Sequence, residues 1–263
     1  MPPPPPASRA TLTIDLNADL GEGFGAWPAP ADAELFPLIS SANVACGFHA
    51  GDPGRMRESA ALAARHSVVV GAHPGYPDLL GFGRRELGAT AREVADYVAY
   101  QVGAMIACAR AAGTRVRYVK PHGALYNRAV RDPEIAQAIA QGIRAAEPEL
   151  AFLGLAGSSL LAAAREAGLR GVSEAFLDRG YQRDGSLVPR GAAGALLDNP
   201  EAAGSRAVRL VREGTVDAAD GTVLEVRAES LCVHGDGARA VAVLRTVRAR
   251  LAAEGITIAP FVR

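Results

Sequence analysis

Four of the five histidines stand in one kind of setting, the end of an apolar run beside glycine. They are His49 in Cys46-Gly47-Phe48-His49-Ala50-Gly51-Asp52, His73 in Val70-Gly71-Ala72-His73-Pro74-Gly75, His122 in Lys120-Pro121-His122-Gly123, and His234 in Cys232-Val233-His234-Gly235-Asp236. Imidazoles titrate near neutrality, move protons and bind metals. A single one is most simply a packed or hydrogen-bonded residue; four in equivalent positions point to a shared site. The fifth, His66, follows Arg65 at a helix end and reads as solvated.

Acid groups join them. Side chains alternate across a strand, so Asp15, Asn17 and Asp19 share the face opposite Ile14, Leu16 and Ala18. Either this is an edge strand with its polar face in water, or it is a buried strand whose polar row needs partners or a ligand. The next stretch, Leu20-Gly21-Glu22-Gly23-Phe24-Gly25, favours the ligand, because a glycine-dense turn lets backbone N–H groups approach one closely. Glu174 and Asp178 project from one face of a later strand, with Arg179 following, as a structural ion pair or as part of the site. Lys120 and His122 likewise share a face across Pro121. Lys120 is the only lysine beside 27 arginines, which suggests a task for a compact ammonium.

Cys232 and His234 have the spacing of a thiolate–imidazole pair, but side chains two apart on a strand point in parallel, so Cys232 reads as a core residue. Arg84, Arg85, Arg179 and Arg190 lie in glycine-containing loops and are either solvated or available to clamp a carboxylate or phosphate. Asp15, Asp19, His49, His122 and His234 would make an oxygen and nitrogen set for a divalent metal, yet no HExxH spacing supports one and none is assigned.

These residues need a scaffold that brings strand ends together. Strands are expected at Leu12–Ala18, Ala42–Cys46, Val68–Ala72, Arg115–Val119, Ala151–Leu155, Val172–Phe176 and Ser230–Val233. Helices are expected at Gly54–Arg65, Thr90–Ala112, Pro133–Ala146, Ser158–Gly168, Pro200–Glu213 and Ala238–Glu254. Thr90 can cap ahead of Glu93, and Asp132 ahead of Pro133. Strands alternating with helices pair in parallel and place their carboxyl ends on one side, where such folds build sites. A dinucleotide-binding GxGxxG does not follow the first strand, so an irregular seven-stranded barrel is preferred to an open sheet. Residues 1–10 read as a disordered proline-rich tail and 11–263 as a single α/β barrel domain.

Composition narrows the function further. The 263 residues are 49% hydrophobic and 21% charged, ordinary for a globular chain. Twenty-eight basic and 28 acidic residues leave no global field for nucleic acid or an anionic membrane. A P-loop is excluded because Lys120 follows Val119 rather than glycine. Three widely spaced cysteines fit a reducing cytoplasm. No secretory h-region is present and no apolar run approaches the ~20 residues of a membrane helix.

Several stretches together resemble the LamB/YcsF family. They are Asp15-Leu16-Asn17-Ala18-Asp19-Leu20-Gly21-Glu22, Asn43-Val44-Ala45-Cys46-Gly47-Phe48-His49-Ala50-Gly51-Asp52, Ala72-His73-Pro74-Gly75-Tyr76-Pro77-Asp78 and Gly81-Phe82-Gly83-Arg84-Arg85. Further on come Val119-Lys120-Pro121-His122-Gly123-Ala124-Leu125-Tyr126-Asn127, Ala175-Phe176-Leu177-Asp178-Arg179-Gly180-Tyr181 and Leu231-Cys232-Val233-His234-Gly235-Asp236. The resemblance implies a TIM-like (β/α)7 barrel of the glycoside hydrolase/deacetylase type. It also implies ATP-dependent hydrolysis of the 5-oxoproline lactam to glutamate, with release of ADP and phosphate, the chain being the A component of a 5-oxoprolinase that works with subunits B and C. On that footing the catalytic set is Asp19, His49, Lys120, His122, His234 and Asp236, with the histidines moving protons. Asp15, Asn17, Asn43, His73, Arg84, Glu174, Asp178 and Arg179 would bind substrate or phosphate. Lys120, Arg84 and Arg179 would balance anionic charge, and Asp15, Asp19 and Asp236 would orient the others or hold the Mg²⁺ that accompanies ATP. The alternatives are a metal-dependent amide or carbohydrate hydrolase and a noncatalytic protein that binds substrate for its partners.

Overall fold

Alternating apolar and polar residues in the first strand put two different environments on its two faces, and the barrel supplies both. The structure, a computed structural model, describes residues 12–27, 32–234 and 239–262. The expected tail at 1–10, Asp236 and the expected helix start at Ala238 lie outside them. Seven parallel strands close a ring: β1 (Thr13–Leu20), β2 (Ser41–Ala45), β3 (Val69–His73), β4 (Val116–Val119), β5 (Ala151–Leu155), β6 (Gly171–Phe176) and β9 (Ser230–Val233), which returns to pair with β1. The last connection carries an antiparallel pair, β7 (Thr215–Asp217) with β8 (Val223–Glu225), and β10 (Thr257–Ile258) adds in parallel to the start of β1. Around the ring run α1 (Asp32–Leu35), α2 (Pro53–His66), α3 (Ala91–Ala111), α4 (Gly123–Arg131), α5 (Pro133–Ala146), α6 (Ser159–Glu166), α7 (Pro200–Glu213) and α8 (Ala240–Ala253).

Local chemistry sets the helix starts. Asp52 accepts from the amides of Gly54 and Arg55, Thr90 and Glu93 form a reciprocal capping box, and Asp132 and Asn199 each cap a helix with proline in its first turn. α4 was not anticipated from the sequence: it begins at Gly123 (φ +57°) behind His122, whose side chain makes no cap. β1 runs two residues beyond the expected Ala18, because Asp19 and Leu20 pair with Asn43 and Val44.

The outward row of β1, Ile14, Leu16, Ala18 and Leu20, packs in one apolar cluster with Leu35 and with Leu244, Val247 and Leu251 of α8. Full burial of a Leu or Val side chain contributes about 1.5–3 kcal/mol. The inward row is polar and buried, so β1 is not a solvated edge strand. A second apolar cluster, Tyr118, Ala151, Leu153 and Val172, backed by Val69 and Phe261, fills the end where the strands begin. Gly71 makes room for it, since a Cβ there would stand 2.3 Å from the Tyr118 ring. The barrel is therefore closed by apolar packing at one end and polar toward the other.

Candidate active site

Three levels of polar side chains climb the barrel interior. At the lowest, Asp15 accepts hydrogen bonds from the hydroxyls of Ser40 (2.7 Å), Ser41 (2.6 Å) and Ser230. Burial dominates these contacts and pushes its carboxyl up to about 6. All its partners are hydroxyls of the protein, so Asp15 supports the site from beneath.

At the middle level Lys120 Nζ lies 2.9 Å from Asp19 Oδ1, 3.0 Å from Glu174 Oε1 and 3.1 Å from Cys232 Sγ. Burial opposes the ammonium, but the Asp19 and Glu174 carboxylates outweigh it and hold its pKa well above the ordinary lysine value. The three protons of Lys120 are committed within the protein, making it a fixed charge. Asn17 ties this level together: its amide donates to Glu174 Oε1 (3.0 Å) and Ser230 Oγ (2.7 Å), and its oxygen accepts from Asn43 Nδ2 (2.7 Å). Asn43 also donates to Asp19 (2.8 Å) and accepts from the Tyr118 hydroxyl, while Tyr126 OH donates to Glu174 (3.0 Å). Glu174 is thus an ion-pair partner of Lys120. Burial pushes the Cys232 thiol well above its usual range, against Lys120, so it is a neutral acceptor and no thiolate nucleophile.

At the mouth the histidines divide into two groups. His73 ends β3, His122 precedes α4, and His49 lies in the loop after β2. The rings of His49 and His122 stack at 3.7 Å and 2°, and both meet His73 edge-on, at 5.5 and 4.9 Å. Burial, with the neighbouring imidazoles, drives His49 and His122 well below the ordinary histidine pKa. Glu22 joins them, its Oε1 3.4 Å from His122 Nδ1 and 3.6 Å from His49 Nε2. Among the described residues, Glu22, His49, His73 and His122 offer one ligand atom each within 4.8 Å of one another, a set able to hold a metal ion. Of the metal candidates read from sequence, His49 and His122 are in this set and Asp15 and His234 are not; Asp19 stands beside it, its Oδ2 3.5 Å from His73 Nε2. Glu22 escapes sequence reasoning, although it sits in the glycine-dense turn that the sequence singles out.

That turn does not offer its first amide to a ligand. Gly21 N donates to Asp32 (2.8 Å) and Gly25 N to Asp52 (3.0 Å), while Gly51 N donates to Gly23 O (2.9 Å), so the turn is braced from outside and presents Glu22 inward. Bare glycine surfaces seat the rings: a Cβ on Gly75 would come 2.7 Å from His49 Nδ1, and one on Gly83 2.6 Å from His49 Cβ. Gly75 is itself clamped by the buried Gln101 of α3, which accepts from its N–H (3.0 Å) and donates to its carbonyl (2.9 Å).

His234 forms the second group, with Asp178. The Asp178 carboxylate accepts from the His234 backbone N–H (2.9 Å) and from ring Nδ1 (3.0 Å). Burial would raise Asp178, but His234 and Arg190 lower it below the usual carboxylate value. A carboxylate only accepts, so Nδ1 carries the hydrogen and Nε2 is presented on the other side, 3.9 Å from Asp19 Oδ2. Asp19 bridges the groups; burial opposes its charge, but the Lys120 ammonium holds its pKa well below the ordinary value. His66 is exposed at the end of α2, as expected.

Asp19, His73, Lys120, His122 and His234 line a cavity of about 30 Å³, one water in size. It shares Arg84, Arg179 and Arg190 with an outer cleft of about 410 Å³. The arginines differ in exposure. Exposed Arg85 pairs with the buried Asp78 carboxylate, and Arg179 is buried with its Nε and Nη2 donating to the carbonyls of Ala195 (3.0 Å) and Val188 (2.6 Å). Burial and Arg190 depress Arg179 to about 10. Arg84 is exposed and lies over the Phe82 ring at 4.8 Å, and Arg190 is half-buried.

The LamB/YcsF family matches residues 14–263. A protein of Agrobacterium fabrum, named as the first A component of 5-oxoprolinase, is 51% identical over 248 residues, 94% of this chain and 97% of its own length. The 5-oxoprolinase A component of Streptomyces avermitilis is 54% identical over 248 residues, 94% and 99% of the two chains. Among solved structures, the lactam utilization protein from Thermus thermophilus superposes with a TM-score of 0.89 at 49% identity, covering 95% of this chain and all of its own.

Proposed function

Because the chain belongs to the LamB/YcsF family, we propose that it acts as the A component of a 5-oxoprolinase, hydrolysing the 5-oxoproline lactam to glutamate. The observation that carries the chemistry is the Asp178–His234 pair at the barrel mouth, with His234 lining a small cavity that shares its arginines with an outer cleft. 5-Oxoproline is a small ring bearing one carboxylate, and Arg84 and Arg190 are suited to receive that anion. Its lactam is a resonance-stabilised amide and a poor electrophile, so the reaction consumes ATP, with Mg²⁺, to ADP and phosphate. Phosphorylation of the lactam oxygen activates the ring carbon; water adds there, the C–N bond breaks as the nitrogen takes a proton, and a second water hydrolyses the resulting γ-glutamyl phosphate to glutamate and phosphate. Partner subunits B and C complete the complex.

Within this chain, His234 takes the proton of water through Nε2 and passes one to the departing nitrogen, with Asp178 fixing its tautomer and supporting the imidazolium. Lys120 keeps Asp19 ionised, and Asp19 in turn faces both His73 and His234. Incubating the chain with its two partners, ATP and 5-oxoproline tests the assignment by the glutamate formed. Asp178→Asn should lower kcat by about 10²–10⁴-fold, the range for positioned proton transfer, with little change in KM. A variant that turns over like the wild type, or glutamate formation by the partners alone, would overturn it.

A further inference from the structure

We propose that Glu22, His49, His73 and His122 form a binding site for one divalent transition-metal ion of the zinc class. The first argument is the tautomer each ring must adopt. His73 Nδ1 lies 2.7 Å from the Lys120 carbonyl and His122 Nε2 lies 2.9 Å from the Phe82 carbonyl. A carbonyl only accepts, so both of those nitrogens carry hydrogen. The remaining nitrogens, His73 Nε2 and His122 Nδ1, therefore present lone pairs to each other at 3.0 Å. Two lone pairs at that distance repel unless a cation lies between or beside them.

The second argument is His49, only 1% exposed, with no hydrogen-bond partner for either ring nitrogen. Such a residue carries a desolvation cost with no hydrogen bond to offset it. A proton shared by His73 and His122 would relieve their contact and leave His49 as it was. A metal ion serves His73, His122 and the Glu22 carboxylate together, and a turn of the His49 ring out of its parallel stack on His122 brings the third imidazole to the same ion.

The separations fit. Zinc bonds to nitrogen and oxygen are about 2.0–2.1 Å, so neighbouring ligand atoms on a tetrahedron stand roughly 3.3 Å apart. Here they are 3.0 Å (His73 to His122), 3.4 Å (His122 to Glu22) and 3.6 Å (Glu22 to His49). The Lys120 and Phe82 carbonyls are the outer partners that aim metal-binding imidazoles. Three nitrogens and one oxygen select a zinc-class ion over Mg²⁺ or Ca²⁺, which prefer oxygen.

The site stands independently of the reaction, so it is tested by binding alone. Calorimetric titration of the chelator-treated protein with Zn²⁺ should give one site per chain and a raised Tm. Co²⁺ in its place should show the intense visible bands of a four- or five-coordinate ion. His49→Ala and Glu22→Gln should weaken Zn²⁺ binding by more than the roughly 10–100-fold that loss of an outer partner costs. Asp15→Asn, deeper in the barrel, should bind like the wild type. Absence of stoichiometric uptake, or a Co²⁺ spectrum like that of the hydrated ion, would overturn the site. These measurements decide it on the unaltered chain even if a variant fails to fold.

Discussion

Replacing Lys120 by methionine removes one charge and little volume from the centre of the barrel, and the consequence can be worked from the contacts. Its ammonium lies 2.9 Å from Asp19 and 3.0 Å from Glu174, and the three side chains are 2%, 5% and 0% exposed, so solvent screens none of them. Each carboxylate keeps hydrogen bonds, from Asn43 to Asp19 and from Asn17 and Tyr126 to Glu174. Neither keeps a countercharge on that side. Stranding one member of a buried ion pair costs about 3–5 kcal/mol. At roughly 2–4 °C per kcal/mol for a chain of this size, Tm should fall by about 6–20 °C at pH 8. The fall should depend on pH. In the wild type Asp19 is held below its unfolded value, so its contribution is present above that value and lost as pH falls through the folded one. In Lys120→Met burial acts without its main opponent and the folded pKa rises above the unfolded one. The deficit then grows as pH rises and shrinks toward pH 5 as Asp19 takes up a proton. Scanning calorimetry at the two pH values measures both, and adding Glu174→Gln should recover part of the loss. A fall below about 2 °C, or an equal fall at both pH values, would refute the account of Lys120 as a fixed structural charge.

Two further outcomes follow from the barrel interior. Asp15 has its carboxyl raised from 3.8 to about 6, so its contribution favours the fold below the unfolded pKa and is lost as pH rises through 6. That span corresponds to about 3 kcal/mol, and Asp15→Asn should remove this decline from urea-unfolding stabilities measured between pH 4 and 7; an unchanged profile contradicts it. Gly71→Ala would set a Cβ 2.3 Å from the Tyr118 ring and push that ring off its bond to Asn43, costing about 1–3 kcal/mol or more of stability; a Tm equal to the wild type would show that the ring yields freely.

The seven parallel strands were legible because each apolar run is short and most are followed by an Ala-rich stretch of helical period. The inward row Asp15, Asn17 and Asp19 was legible from alternation alone. Its partners were not: Ser40, Ser41 and Ser230 are distant in sequence, and nothing local shows that hydroxyls rather than a ligand will satisfy Asp15. Four histidines at strand ends signalled one mouth, but periodicity places residues on a face and says nothing about separation around the ring. Hence the division into His49, His73 and His122 on one side and His234 with Asp178 on the other emerges only in three dimensions. α4 left no mark because it starts without a capping side chain. Glu22 sits between glycines that read as a cradle of amides, whereas Asp32 and Asp52 hold that turn.

Gln101 links the mouth to the outer wall. Its amide serves both hydrogen-bonding groups of Gly75, and the Gly75 surface is the back of the His49 ring. Gln101 lies midway along α3 and is fully buried, so a local opening of that helix, rather than fraying of its ends, would release donor and acceptor together. The imidazole stack accordingly inherits the opening free energy of a peripheral helix, and the protein can lose its chemistry by local unfolding while the cylinder itself persists.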